Sequence, residues 1–295
     1  MMISSWVLDA RLEDQRFAEA YAAVSPQCRS RLKTAMARQD VLCRAIASRS
    51  TQSTSVLQAG FVVSEREHPV SDALVVLDRS TSPAALIAAL MPVLNAGIGT
   101  VVVAYAVEQT QAIPDGLLTA LELMGQELVV ELSPDRVLAL VQEWERDEHP
   151  RLVMALGETG MWGTPGPLSY GGCRFWRAPA EGEIAVYLEG AGSDVDLDML
   201  AFARPYSSFL VAGNCPESLP SGFRRVGNDI SDLPTGENII CFAPDCWAEK
   251  IFGSYCCVFG PGHEACHVWP DLGAEWFRVR STAWYSPIVR QTEEL

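Results

Sequence analysis

The chain has 295 residues, of which 48% are hydrophobic and 20% charged, and a formal net charge of −15 at neutral pH. That length holds one large domain or two moderate ones, and the hydrophobic share excludes a disordered chain. The charge excludes a partner recognised through a phosphate backbone, nucleic acid above all.

The opening residues, MMISSWVLDARLEDQRF, have neither the basic start nor the apolar core of a signal peptide. No apolar run reaches the roughly 18 residues that cross a bilayer, so the expectation is a cytoplasmic protein without a membrane partner. Nine cysteines, an odd number, are expected to be reduced thiols in that compartment.

Residues 1–55 form an N-terminal segment with helical periodicity from about Arg11 to Ser48. Leu12, Phe17, Tyr21 and Val24 suit one amphipathic helix, and Ser25-Pro26 opens a second through Leu32, Met36 and Ile46. Gln52–Ser55 is a polar break. Ala73–Leu77 is then a Val-rich run of strand length, and Asp78-Arg79-Ser80-Thr81-Ser82 is a polar turn. Ser82 is the N-cap and Pro83 the first residue of a helix that ends at Gly97.

Thr100–Ala104 is a second buried strand, and Pro114–Gly125 spans a second helix. Leu128–Val130 is a strand, Pro134–Trp144 a helix, and Leu152–Leu156 a further strand. Continuous apolar runs joined through helices predict parallel strands covered on both faces, hence an open α/β sheet.

A glycine-rich loop, Gly157–Gly163, and an irregular stretch through Gly172 follow. Strands are predicted at Ile184–Leu188, Ser208–Val211, Ile239–Phe242 and Tyr255–Phe259, with a short helix at Leu197–Ala203 and a turn-rich stretch at Asn214–Gly236. The tail Trp269–Ile288 suits a last strand packed on the body. No internal repeat and no low-complexity segment is visible. The expected organisation is an N-terminal helical segment, a Rossmann-like, mostly parallel α/β domain over 56–205 and a smaller C-terminal α/β portion over 206–295.

The stretch Ala89-Leu90-Met91-Pro92 and Ala96-Gly97-Ile98-Gly99-Thr100-Val101-Val102-Val103 resembles the cofactor domain of the aldehyde dehydrogenase superfamily, to which histidinol dehydrogenase is akin. Gly157-Glu158-Thr159 is similar to that family's Gly-Ser-Thr loop, Asp194-Val195-Asp196-Leu197-Asp198 to its Ala-Asp-Leu-Asp stretch, and Ala212-Gly213-Asn214-Cys215 to its nucleophile segment. The resemblance runs over residues 10–215 and is closest over Pro69–Val130.

It implies an NAD(P)-dependent oxidoreductase in which Cys215 attacks an aldehyde. Arg79, Ser80, Thr81, Gly157, Thr159 and Gly163 would hold NAD or NADP. Two family features lack counterparts. Tyr105-Ala106 stands where the cofactor-ribose lysine would fall, and the Glu-Leu-Gly-Gly-Lys base segment is missing. A non-catalytic binding or assembly protein that keeps the fold is therefore the alternative, with a small-molecule ligand and with a homo-oligomer left open.

The residues offer other sites. His263-Glu264-Ala265-Cys266-His267 matches the H-E-x-x-H zinc pattern, which needs both histidines on one helix face. Gly260-Pro261-Gly262 before it and Pro270 after it leave room for two helical turns. A metal-binding protein, in its enzymatic form a hydrolase with Glu264 as general base, is the weaker alternative, with a metal set of His263, His267, Cys241, Cys246 and Cys266, and zinc is not expected. Cys256 and Cys257 are adjacent and point to opposite faces of a strand. Glu148-His149 lies in an acidic loop. Trp247, Trp269, Trp276 and Trp284, with Arg278 and Arg280, could frame a ligand by stacking or pack a core.

Overall fold

A computed structural model describes residues 3–43, 50–57, 60–107, 112–147, 149–157, 169–170, 173–180, 182–190 and 195–286. Three helices open the chain: α1 (Ser5–Leu8), α2 (Asp14–Ala23) and α3 (Pro26–Cys43). Strands β1 (Thr51–Val56) and β2 (Val62–Pro69) form an antiparallel hairpin, which β14 (Arg278–Tyr285) completes on the other side of β2. The polar break expected at 52–55 is thus part of a strand. Every residue of β1 is exposed, which is why its Thr-Gln-Ser-Thr-Ser sequence carries no apolar signal.

The first parallel sheet contains β3 (Asp72–Leu77), β4 (Thr100–Ala106), β5 (Val129–Leu132), β6 (Arg151–Ala155) and β8 (Cys173–Arg177), with the short β7 (Ser169–Tyr170) antiparallel on its edge. The order is β5-β4-β3-β6-β8 and these five strands run parallel. The four strands expected to be neighbours are neighbours. Helices α4 (Pro83–Asn95) and α5 (Asp115–Leu123) pack with α2 and α3 on one face, around Leu86, Leu90 and Leu117. Helix α6 (Pro134–Glu145) covers the other face through Val137, Leu140 and Trp144. Ser82 caps α4 by accepting from Ala85 N at 3.1 Å, with Pro83 next, as the sequence predicts.

The chain passes to a second sheet between Arg177 and Ile184. That sheet holds β9 (Ile184–Leu188), β10 (Phe209–Gly213), β11 (Phe223–Gly227), β12 (Gly236–Phe242) and β13 (Tyr255–Phe259), all parallel, in the order β11-β10-β9-β12-β13. Helix α7 (Leu197–Ala203) follows β9 and α8 (Asp245–Ile251) follows β12. Numbered within each sheet, both orders read third, second, first, fourth, fifth. The fold therefore repeats a topology, although the sequence shows no repeat.

After β13 the chain returns to the first core. Ala265, Trp269, Leu272 and Phe277 pack there, Trp269 Nε1 donates to Ala85 O at 3.3 Å, and Val70 N donates to Phe277 O at 2.9 Å. Among the described residues no helix is long and apolar enough to cross a membrane.

Candidate functional site

In a parallel sheet ordered this way, the strand order changes direction between β3 and β6. A crevice opens beyond their carboxyl ends. Ser80 and Thr81 follow β3 and Gly157 follows β6, and the three line a cavity of about 260 Å³ with Tyr206, Ser208 and Trp269. Sequence reasoning therefore brought together three residues that do meet. Arg79 is exposed and is not part of this lining, and Thr159, Gly163 and Glu158 lie outside the described residues.

The turn's polar groups are satisfied from within. Asp78 Oδ1 accepts from Ser80 N at 2.8 Å and from Ser80 Oγ at 2.6 Å. Thr81 Oγ1 accepts from Asp78 N at 3.1 Å and donates to Leu156 O at 3.3 Å, tying the turn to the end of β6. At the start of α4, Ser82 takes the Ala85 N–H, and Pro83 has no N–H to offer.

Gly157 has φ +89° and lies so close to Asp78 that a Cβ there would sit 1.9 Å from Asp78 Oδ1. A glycine loop serves a pyrophosphate by leaving its backbone donors open and its surface uncharged. Here Gly157, the first residue of that loop, lies against a carboxylate. Like charges about 4 Å apart at a partly solvated site repel by roughly 4 kcal/mol. Tyr105, where the family lysine would fall, is buried, and its hydroxyl is pushed up to about 12 by that burial, with Tyr206, Asp78 and Glu131 adding to the effect and Arg79 opposing it. These residues do not fit a nicotinamide dinucleotide.

Cys215 follows β10. Gly213 has φ +97° and packs so closely that a Cβ there would meet Leu188 O at 2.1 Å, and Asn214 N donates to Leu188 O at 2.7 Å, so the segment folds tightly over the end of β9. The cavity by Gly157 touches the second sheet at Glu183 and Ser208, the opposite ends of β9 and β10. At about 3.3 Å per residue the thiol stands roughly 20 Å from that end. The structure does not bring Cys215 to the Gly157 turn. Burial pushes its thiol above the ordinary range, and Arg225 only partly offsets this.

Residues 263–267 form turns and no helix. His263 Nδ1 faces the carbonyls of Gly260 and Pro261, at 3.3 and 3.2 Å. Glu264 is buried, and its Oε1 accepts from Gly262 N at 2.9 Å and Asp196 N at 3.1 Å, which locks the turn to the start of α7. Cys241 is buried inside the second sheet, and Cys246 Sγ lies 3.1 Å from Glu189 Oε2 on the exposed surface. Among the described residues no three His, Cys, Asp or Glu side chains converge as a metal set.

What sequence reasoning missed lies beside this turn. Arg204, at the end of α7, is fully buried; its Nη1 lies 3.0 Å from His267 Nδ1 and its Nη2 donates to Cys266 O at 2.7 Å. The signal available was an arginine closing an apolar helix, Leu-Ala-Phe-Ala-Arg, which alone does not name a partner. The tryptophans do not gather: Trp269 reaches the crevice, Trp247 packs on Tyr187, and Trp284 stacks on Phe61 with 69% of its surface exposed. Arg278 and Arg280 pair with Glu67 and Glu65 across β14 and β2.

No protein-family model matches this chain, and no curated protein sequence matches it. Its structure is similar to that of histidinol dehydrogenase from Elizabethkingia anophelis, at 11% identity and a TM-score of 0.54, over 94% of this chain and 77% of that one. It also matches succinate-semialdehyde dehydrogenase from Burkholderia pseudomallei, at 11% identity over 92% and 84% of the chains, with a TM-score of 0.47. An NAD-dependent benzaldehyde dehydrogenase from Corynebacterium glutamicum matches at 10% identity over 95% and 85%, with a TM-score of 0.43. The resemblance to this superfamily is borne out as a likeness of fold, and a fold does not carry an activity with it.

Proposed function

We propose that this chain is a non-catalytic small-molecule-binding protein that keeps an aldehyde dehydrogenase-like fold and does not use NAD or NADP. The observation that carries the reading is the closure of the Gly157 turn on the Asp78 carboxylate, which takes the Ser80 donors a phosphate would need. Two further facts support it: the Cys215 thiol is pushed up rather than down, and it stands at the far end of the second sheet from the crevice. The ligand space is the crevice between the carboxyl ends of β3 and β6 and the 178–183 connection.

The test is a crystal structure of the protein soaked with millimolar oxidised NAD or NADP. The reading expects no dinucleotide density beside Gly157 and an unmoved Asp78–Ser80 turn. A dinucleotide lying across Ser80, Thr81 and Gly157, with Asp78 swung away, would overturn it and restore the oxidoreductase.

A further inference from the structure

A regular strand would put Cys256 and Cys257, adjacent on β13, on opposite faces. The structure departs from that period. Tyr255 and Val258 pack in one cluster of the second sheet and Cys257 and Phe259 in the other, so the alternation slips by one position at Cys256. The pairing slips at the same place: Gly236 stands opposite Tyr255 and Ile240 opposite Cys257, so the stretch from 236 to 240 faces the shorter one from 255 to 257. The two sulfurs lie 3.9 Å apart instead of on opposite faces. No other two cysteine sulfurs pair among the described residues.

Both cysteines are partly exposed. Cys256 lines a second cavity, of about 310 Å³, with Ile184, Ile240 and Val268, and this cavity shares Trp269 with the crevice by Gly157. Lengths decide what the pair can hold. A disulfide needs its sulfurs about 2.05 Å apart and its Cα atoms about 4.4–6.8 Å apart, whereas neighbouring Cα atoms stand about 3.8 Å apart. A direct bond between these sulfurs would therefore distort β13. A central atom with bonds of about 2.3 Å to each sulfur spans about 3.8 Å at a tetrahedral angle, close to the separation observed. Zinc would ask for two more ligands, and no third His, Cys, Asp or Glu joins the pair among the described residues. The pair suits a thiophilic centre that needs two protein sulfurs and brings its remaining substituent with it.

We infer that Cys256 and Cys257 form a capture site for a trivalent arsenical bearing one organic group. Arsenic bonds to both sulfurs, the two thiol protons leave with the arsenical oxygen as water, and arsenic stays trivalent, so no oxidant or reductant enters. The second arsenic–sulfur bond forms within the molecule, which holds the arsenical far longer than one thiol does. Ile184 and Ile240 offer the organic group apolar walls. Burial pushes the Cys257 thiol up to about 12, with Cys256 adding to that and Arg204 opposing it, so Cys257 is a poor target for alkylation and its partnership with Cys256 carries the capture. The inference does not rest on what the crevice by Gly157 binds.

The test treats the reduced, folded protein with equimolar phenylarsine oxide, then with excess mercaptoethanol, and reads intact mass. One phenylarsenic adduct per chain is expected, retained against the monothiol and released by dimercaptopropanol. Alkylation of the treated protein after unfolding should leave Cys256 and Cys257 unlabelled and the remaining cysteines labelled, a readout that needs no variant. Cys256→Ser and Cys257→Ser should each lose the retained adduct, and Cys246→Ser, on the exposed surface, should keep it. An adduct stripped by mercaptoethanol, or protection that maps to cysteines other than this pair, would overturn the assignment.

Discussion

At the scale of single residues, two side chains have titration behaviour that a measurement can read. Cys215 is a half-buried thiol with Arg225 as its charged neighbour, and burial outweighs that neighbour. Its alkylation by iodoacetamide at neutral pH should be slower than that of a free model thiol with the ordinary pKa of about 8.5, and unaffected by an aldehyde plus dinucleotide. Mass-spectrometric labelling rates across all nine cysteines check this. His267 acts through its proton balance. The unfolded chain protonates this imidazole near 6.5 and the folded chain well below, so the unfolded state binds the extra proton in between. Stability should therefore fall as pH drops below about 6.5, by up to about 1.4 kcal/mol per unit. Arg204 stays charged, and burial keeps the adjacent Cys266 thiol above the ordinary range, so neither titrates in this window. Urea midpoints between about pH 7.5 and 5.5 should show that slope in the native protein and a shallower one in His267→Phe.

At the scale of elements, legibility followed burial. Strands β3, β4, β5 and β6 were readable because helices cover both their faces and the runs Ala73–Leu77, Val101–Ala104, Val129–Val130 and Leu152–Ala155 are apolar throughout. Strand β8 was not, because Cys-Arg-Phe-Trp-Arg mixes charge into the run; Arg174 serves the carbonyls of Glu275 and Arg278. Strands β1, β2 and β11 lie in the antiparallel hairpin or on an edge and are polar. The H-E-x-x-H pattern binds zinc only from a helix, and Gly262 and the Glu264 carboxylate close the polar turn that the flanking Gly and Pro residues favour. Of the crevice, Ser80, Thr81 and Gly157 were visible as turn residues after strands. Asp78's place over Gly157 was not, since it depends on the register in which β3 and β6 lie side by side. That adjacency has its own anchor. Arg151, 1% exposed, donates from Nε to Asp72 Oδ2 at 2.9 Å, from Nη2 to Asp147 Oδ2 at 2.8 Å and from Nη1 to Trp144 O at 3.0 Å, joining β6, β3 and the end of α6. Arg151→Ala should cost about 3 kcal/mol, seen as a lower urea midpoint with an unchanged slope, whereas a surface change such as Arg280→Ala should cost less than about 1 kcal/mol.

At the scale of the whole molecule, two sheets share one strand order, and the segment after β13 brings Trp269 back to the first core, where it lines both cavities. The likeness to histidinol dehydrogenase is one of fold, at 11% identity. Asp78 is seated where a phosphate would need open donors, Tyr105 is buried where a cation would stand, and Cys215 lies beyond reach of the crevice. The central claim is that the fold persists without its dinucleotide, and isothermal titration of the protein with oxidised NAD and NADP tests it most directly. The account predicts no saturable heat up to millimolar concentrations of either; a micromolar dissociation constant for one of them would contradict it.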